Sequence, residues 1–193
     1  MNIRRICGVD EVGRGTLAGP VVASAVILQK NHKIEGLNDS KKLSVKNRER
    51  LFTMIIERSI SVGIGIIDSQ IIDKLNIRKA TLLAMKNAVL DLKIKPDVVL
   101  IDGLDKIDIN IPNENIIKGD SKIDCIMAAS IIAKVKRDDL MKEYSYKYPE
   151  FGFEKNKGYG TKFHIDMITK YGRTQYHRKS FQIKSNQQIL QFN

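Results

Sequence analysis

Ile6-Cys7-Gly8-Val9-Asp10-Glu11-Val12-Gly13-Arg14-Gly15 is the stretch on which the fold turns. Ile6 to Asp10 is short and apolar and closes on Asp10-Glu11, the pattern of a first strand. Gly13-Arg14-Gly15 follows as a tight turn, and Gly19-Pro20 punctuates a second one. Val21 to Leu28 is a nearly continuous run rich in β-branched residues, as expected of a strand buried on both faces. Leu51 and Ile55, with Phe52, Ile56 and Ile60, recur at helical spacing and predict a helix from about Val45. Ser61 to Ile67 alternates as a third strand. Leu82, Met85, Val89 and Leu92 make the apolar stripe of a second helix that Pro96 stops.

Val98 to Ile101 reads as a buried strand ending at Asp102-Gly103, and a short strand over Asn115 to Ile117 runs into Lys118-Gly119-Asp120. Ser121-Lys122-Ile123-Asp124 has the capping-box pattern. Ile123, Met127, Ile131 and Val135 step by four along a long helix, and a last helix is expected over Phe163 to Tyr171. Three strands followed by alternating helices and strands predict an α/β fold, a mixed sheet flanked by helices.

Asp10, Glu11, Asp102 and Asp120 share one property: each lies where an apolar strand ends or just before a helix begins. Ligands of open α/β sheets collect at the carboxyl ends of strands. If the first and fourth strands are adjacent and parallel, Asp10 and Asp102 converge there. Adjacent strand residues face opposite sides, so Asp10 and Glu11 share a site only if the chain turns between them, and Gly13 and Gly15 favour such a turn. Clustered carboxylates are costly unless cations neutralise them, and oxygen ligands without His or Cys select Mg²⁺ or Mn²⁺. Two such ions about 4 Å apart can generate hydroxide and stabilise both oxygens of a phosphodiester cleavage. An Asp after a strand is also commonly a turn former or a helix cap, and Asp120 could simply cap the helix that follows it.

The 193 residues, 42% of them apolar, suffice for one compact domain. Thirty-three Lys and Arg against 22 Asp and Glu give a net charge of +11, which suits a polyanionic partner but also an ordinary solvated surface. No run approaches the roughly 18 to 20 apolar residues of a membrane span, and Asp10 breaks the opening run before a signal-peptide core could form. A cytoplasmic location without membrane attachment is therefore expected. Cys7 and Cys125 sit in apolar contexts and read as buried reduced thiols, and three scattered histidines form no zinc pattern.

With those residues in view, the chain resembles bacterial ribonuclease HII. Gly8-Val9-Asp10-Glu11-Val12-Gly13-Arg14-Gly15 matches the family's DExGRG opening, and Asn38-Asp39-Ser40-Lys41-Lys42-Leu43 its NDSKKL loop. Leu100-Ile101-Asp102-Gly103, Lys118-Gly119-Asp120-Ser121 and Ala128-Ala129-Ser130-Ile131-Ile132-Ala133-Lys134 are similar to three further motifs. Lys157-Gly158-Tyr159-Gly160-Thr161 and His177-Arg178-Lys179-Ser180-Phe181 complete the set.

The resemblance implies a ribonuclease H-like fold with a five-stranded mixed sheet, and a catalytic domain over 1–181 with 182–193 as a tail that can be flexible. It implies that Asp10, Glu11, Asp102 and Asp120 are the catalytic residues and hold Mn²⁺ or Mg²⁺. The implied reaction is hydrolysis of the RNA strand of RNA–DNA hybrids and nicking 5′ of ribonucleotides embedded in duplex DNA, leaving 3′-hydroxyl and 5′-phosphate ends. Water attacks by way of two metals, and the ribose 2′-hydroxyl is recognised rather than used as nucleophile. Gly13, Arg14 and Gly15 are implied to read that hydroxyl with backbone groups and Tyr159 to pack on the neighbouring sugar. Lys41 and Lys42 would contact phosphates, with Ser40 adding a hydrogen bond.

Thr16 stands where the family often has proline, and Asn156 where histidine usually precedes Lys-Gly-Tyr. Ribonuclease HIII, the sister family, lacks Arg in the glycine loop and carries an N-terminal domain for which Asp10 lies too close to the start. Gln187, Leu190 and Phe192 match the Q-x-x-L-x-F peptide that bacterial replication proteins insert into the sliding clamp, although the same residues could pack on this chain's own core. A monomer is the default, since no coiled-coil pattern is visible. Two rivals remain open at this stage: another polynucleotidyl transferase on a similar fold, such as a resolvase or transposase, and a non-catalytic nucleic-acid-binding protein.

Overall fold

The computed structural model describes residues 4–183. Its five strands are β1 (Ile6–Val12), β2 (Val21–Leu28), β3 (Ser59–Ile67), β4 (Val98–Asp102) and β5 (Asn113–Ile116), in the sheet order β3-β2-β1-β4-β5. β1 pairs antiparallel with β2, and β2 with β3, whereas β4 lies parallel to β1 and β5 parallel to β4. The sheet is therefore mixed, as the sequence predicts. The helices are α1 (Val45–Arg58), α2 (Ser69–Leu75), α3 (Ile77–Leu90), α4 (Asp124–Lys147), α5 (Phe153–Asn156) and α6 (Lys162–Tyr171). None of the described helices is long and apolar enough to cross a membrane.

Both faces of the sheet are covered. Cys7, Val9, Val21, Ala23, Ala25 and Ile27 pack with Ala80, Ala84, Met85, Ala88 and Val89 of α3. On the other face Val26 packs with Leu51 and Ile55 of α1 and with Ala128, Ala129, Ile131 and Ile132 of α4. β2 is thus buried on both sides, which is why its sequence does not alternate. α4 runs about 36 Å at the usual rise per residue, longer than the sheet beneath it. Its far half carries a third cluster, in which Met141 packs with Ala18, Phe151, Phe153 and Ile168.

Several boundaries differ from expectation, each for a local reason. α3 ends at Leu90 rather than at Pro96, because the Asp91 carboxylate turns in to accept the Ile64 N–H of β3 (2.9 Å). α2 is an extra helix between β3 and α3, capped by Asp68, whose carboxylate accepts the Ile71 N–H (2.8 Å). Ile60 belongs to β3 and is exposed, so the buried stripe of α1 is Leu51 and Ile55. The Ser121 capping box does not form: Gly119 to Ser121 is a 3₁₀ turn, the Ser121 hydroxyl donates to the Lys118 carbonyl (3.0 Å), and α4 starts at Asp124. Of the four residues predicted to line α4, only Ile131 is fully buried. The helix is wedged between sheet and α1, so its buried face is broad and built on Cys125, Ile126, Ala128, Ala129, Ile132 and Ala133.

α4 can lie this close because β1 carries Gly8 where the two cross. A Cβ at Gly8 would stand 2.2 Å from the backbone carbonyl carbon of Cys125. Gly8→Ala should therefore lower the unfolding free energy by about 3 kcal/mol, since the clash is with backbone that cannot rotate away. Urea unfolding measures this; a midpoint indistinguishable from wild type would refute the crossing geometry.

Candidate active site

Parallel pairing of β1 with β4 runs to Val9↔Ile101, so Asp10 and Asp102 stand side by side where the register ends. Asp120 joins them from the 3₁₀ turn, which is tied to β4 by the Gly119 N–H donating to the Asp102 carboxylate (2.8 Å). One carboxylate oxygen from each of Asp10, Asp102 and Asp120 lies within 4.8 Å of the others. Asp10 is buried, its carboxylate accepts the Glu11 N–H (2.7 Å), and Ser130 of α4 stands near enough to favour its charged form. Burial, then the Glu11 charge, pushes the Asp10 carboxyl well above the usual range, and burial also raises Asp102 against the pull of the Gly119 N–H. The donor set is oxygen throughout, three carboxylates without nitrogen or sulfur, and fits a hard divalent cation.

The turn expected between Asp10 and Glu11 is absent: β1 continues regularly to Val12, so the two side chains leave opposite faces. Glu11 stands outside the group of three. It lines a shallow pocket with Asp102, Gly103 and Leu104 and pairs with Arg14 (3.5 Å). Burial raises its carboxyl, with the Arg14 charge opposing.

Around the carboxylates lie the other predicted residues. Lys41 reaches Asp120 (3.7 Å); partial burial would depress its ammonium, but Asp39 and the three aspartates outweigh that and raise it. Lys42 is exposed in the same loop. Ser40 is buried, and its hydroxyl is hydrogen-bonded to that of Ser130 (2.9 Å). Gly13 has φ +93°, and a Cβ there would lie 2.2 Å from Nε of Arg137, so the glycine is required by the fold. Gly15 differs: its φ is ordinary and a Cβ would meet open space. Tyr159 is 46% exposed on the turn after α5, and that turn is tied to the glycine loop by the Leu17 N–H donating to the Gly158 carbonyl (2.8 Å).

The family model for ribonuclease HII matches residues 7–184. The chain belongs to the ribonuclease HII family. It is 54% identical over 178 residues to the ribonuclease HII of Caldicellulosiruptor bescii, covering 92% of this chain and 86% of that one. Among solved structures, ribonuclease H2 from Pyrococcus horikoshii superposes with a TM-score of 0.78 at 27% identity, over 92% of this chain and 93% of that one. A ribonuclease HII from Archaeoglobus fulgidus, solved as a PCNA complex, shares the fold at TM-score 0.79 and 23% identity, over 94% and 96% of the two chains. This ribonuclease HII family member is an endoribonuclease, a phosphodiester hydrolase on a ribonuclease H-like fold.

Its structure also brings together residues that sequence reading left apart. Asn156, where the family usually has histidine, holds the tyrosine turn: its amide donates to the Phe151 carbonyl (2.7 Å) and its oxygen accepts the Gly158 N–H (2.8 Å). His164 and His177 meet through their Nε2 atoms (3.1 Å), beside Phe151 and Phe153. The Thr174 N–H can only donate, so Nδ1 of His177 accepts (2.9 Å) and its Nε2–H donates to His164. Nδ1–H of His164 is then left to donate to the Tyr159 carbonyl (2.8 Å). Both rings are neutral in this relay. Burial lowers both, and His177, facing His164 and Arg173 as well, falls to about 4. No spacing signal in the sequence announces this pair, because the contact is made only when the segment after α6 folds back.

Two outcomes follow from the geometry. Metal-free Asp10→Asn should melt higher than metal-free wild type, by about 1 kcal/mol, because the amide keeps the acceptor for Glu11 and loses a buried like charge; thermal melting in chelator measures it, and a lower midpoint would contradict it. His177 binds its proton more weakly folded than unfolded, so its contribution is complete above pH 6.5 and is lost as pH falls through about 4. The raised carboxylates act in the opposite sense, so the reading is a difference. Between pH 6.5 and 4, His177→Gln should lose about 2 kcal/mol less stability than wild type; parallel pH curves would contradict it.

Proposed function

We propose that this protein hydrolyses the RNA strand of RNA–DNA hybrids and nicks duplex DNA on the 5′ side of an embedded ribonucleotide, leaving 3′-hydroxyl and 5′-phosphate ends. The observation that supports this most directly is the meeting of Asp10, Asp102 and Asp120, delivered by three separate elements, within 4.8 Å. These three, with Glu11 approaching Asp102 from the side, would hold two divalent ions, Mn²⁺ or Mg²⁺. Bound there, the ions would supply hydroxide and offset charge on the reacting phosphate. The Glu11 N–H orients Asp10, and the Gly119 N–H orients Asp102. Lys41 and Lys42 would hold phosphate oxygens as point charges, with Ser40 beneath them.

Gly15 supports the ribose reading. Nothing in the fold needs a glycine there, so the missing side chain serves something outside the chain, as a backbone that approaches a sugar would. Tyr159, exposed and joined to the same loop, is placed to pack on an adjacent sugar. The net charge of +11 suits nucleic acid, and we take the protein to be a cytoplasmic monomer with residues 1–181 as its catalytic domain. Gln187, Leu190 and Phe192, the clamp-binding expectation, lie outside the described residues. PCNA binding is a property of the Archaeoglobus fulgidus protein, so here the clamp reading rests on the sequence pattern alone.

The decisive experiment uses a DNA duplex holding one ribonucleotide. With Mn²⁺ or Mg²⁺ a single nick 5′ to the ribonucleotide is expected, absent in chelator and in Asp10→Asn. Equal cutting of an all-DNA duplex would favour a resolvase- or transposase-like enzyme instead, and binding without cleavage a non-catalytic protein. Gly15→Ala should keep its melting temperature and lose about ten- to hundredfold in cleavage rate; an unchanged rate would remove the loop from the ribose reading.

A further inference from the structure

Two arginines lie beneath the glycine loop, Arg137 of α4 and Arg178 in the segment after α6, and both are completely buried. Among the described residues, neither is within ion-pairing distance of a carboxylate. A buried guanidinium without a counter-charge is costly: burial lowers the proton affinity of both, and the Arg137 charge lowers that of Arg178 further. Such a pair persists only if its donors are fully used.

They are used almost entirely on one loop. Arg178 donates through Nε and Nη2 to the Gly19 carbonyl (3.1 and 2.9 Å), through Nη1 to the Arg14 carbonyl (2.8 Å) and through Nη2 to the Gly13 carbonyl. Arg137 donates through Nε to the Pro20 carbonyl (2.9 Å), and through Nη2 to the Ala18 carbonyl (3.1 Å) and the Thr16 hydroxyl (2.9 Å). Every acceptor lies within residues 13–20 except one, the Lys157 carbonyl at the root of the tyrosine turn, which takes Nη1 of Arg137 (2.9 Å). The segment carrying Arg178 is itself fixed: its own N–H donates to the Leu17 carbonyl (2.9 Å), and Asp73 of α2 accepts the N–H groups of Lys179 and Ser180 (2.8 and 2.9 Å).

The described chain has no cis peptide, and in a trans peptide the C=O and the following N–H point in opposite directions. Arg178 draws the Gly13 and Arg14 carbonyls inward, so the N–H groups of Arg14 and Gly15 are turned outward. Neither finds an acceptor among the described residues. They form a pair of adjacent free donors at the one loop position, Gly15, where a Cβ would meet only open space.

We propose that Arg178, backed by Arg137, is a positioning residue for ribose recognition: by holding the carbonyls of Gly13, Arg14 and Gly19 it fixes the Arg14 and Gly15 N–H groups as outward donors to the 2′-oxygen of a ribonucleotide. This rests on the reading of the glycine loop as the ribose sensor. Arg178→Lys keeps the charge but cannot span three carbonyls from one planar fork.

The full-length, metal-free variant is compared with wild type in two readouts. One is the amide resonances of Arg14 and Gly15 in ¹⁵N-labelled protein. The other is the ratio of affinities, by fluorescence anisotropy, for a duplex with one ribonucleotide over the same duplex in all-DNA form. Both amides should shift, and the ratio should fall at least about tenfold while all-DNA affinity stays within about twofold. Either readout remaining at its wild-type value overturns the proposal. If Gly15→Ala still abolishes the ratio in that case, the loop reading stands without Arg178; if neither variant changes the ratio, the loop reading fails and takes the proposal with it. Should Arg178→Lys fail to fold, Arg137→Lys, which grips the same loop from its Ala18–Pro20 side, is judged by the same two readouts.

Discussion

Like charges held close in a poorly solvated place repel, and three carboxylates within 4.8 Å, one of them buried, are such a place. Much of the surrounding structure can be understood as what keeps them there. Parallel pairing of β1 with β4 sets Asp10 beside Asp102, and a backbone N–H from the turn that carries Asp120 closes on Asp102. Ser130 stands beside Asp10 on a helix that can approach only because β1 has no side chain at Gly8. The cost is carried by two packed apolar layers on either side of the sheet, neither of which includes a member of the acidic group.

How much of this the amino-acid order discloses depends on the range of the interaction. The strands were legible because their apolar runs are bounded by Gly, Pro and Asp, and the convergence of Asp10 with Asp102 followed from one assumption about adjacency. Local capping was less legible: the Ser121 pattern competes with a tighter turn that Asp102 holds from another element, and α2 is too short to show a stripe. The place of the turn was hard to read for a similar reason: β1 runs regularly to Val12, and the chain turns at Gly13 rather than between Asp10 and Glu11.

The buried cations and imidazoles were the least legible. Charged residues read singly look like surface, and His164 and His177 lie on separate segments. A trace of Arg137 was nevertheless present. Ile126, Ser130, Ala133 and Arg137 step by four, three and four residues, which places the arginine on the same inward stripe as buried neighbours. For Arg178 no comparable signal exists, because its segment has no regular period. Its burial is decided by carbonyls from the far end of the chain.

α4 has a geometric consequence of its own. Ser130 stands beside the first carboxylate and Arg137 grips the glycine loop, and the seven-residue step from one to the other is two helical turns, about 10 Å along the axis. One stiff rod therefore works as a caliper, gauging the span between the hydrolytic centre and the backbone proposed to sense the sugar. Side chains along the rod can vary, but its length cannot. Adding or removing a single residue between those two contacts would swing one of them by about 100° and leave the jaws pointing apart.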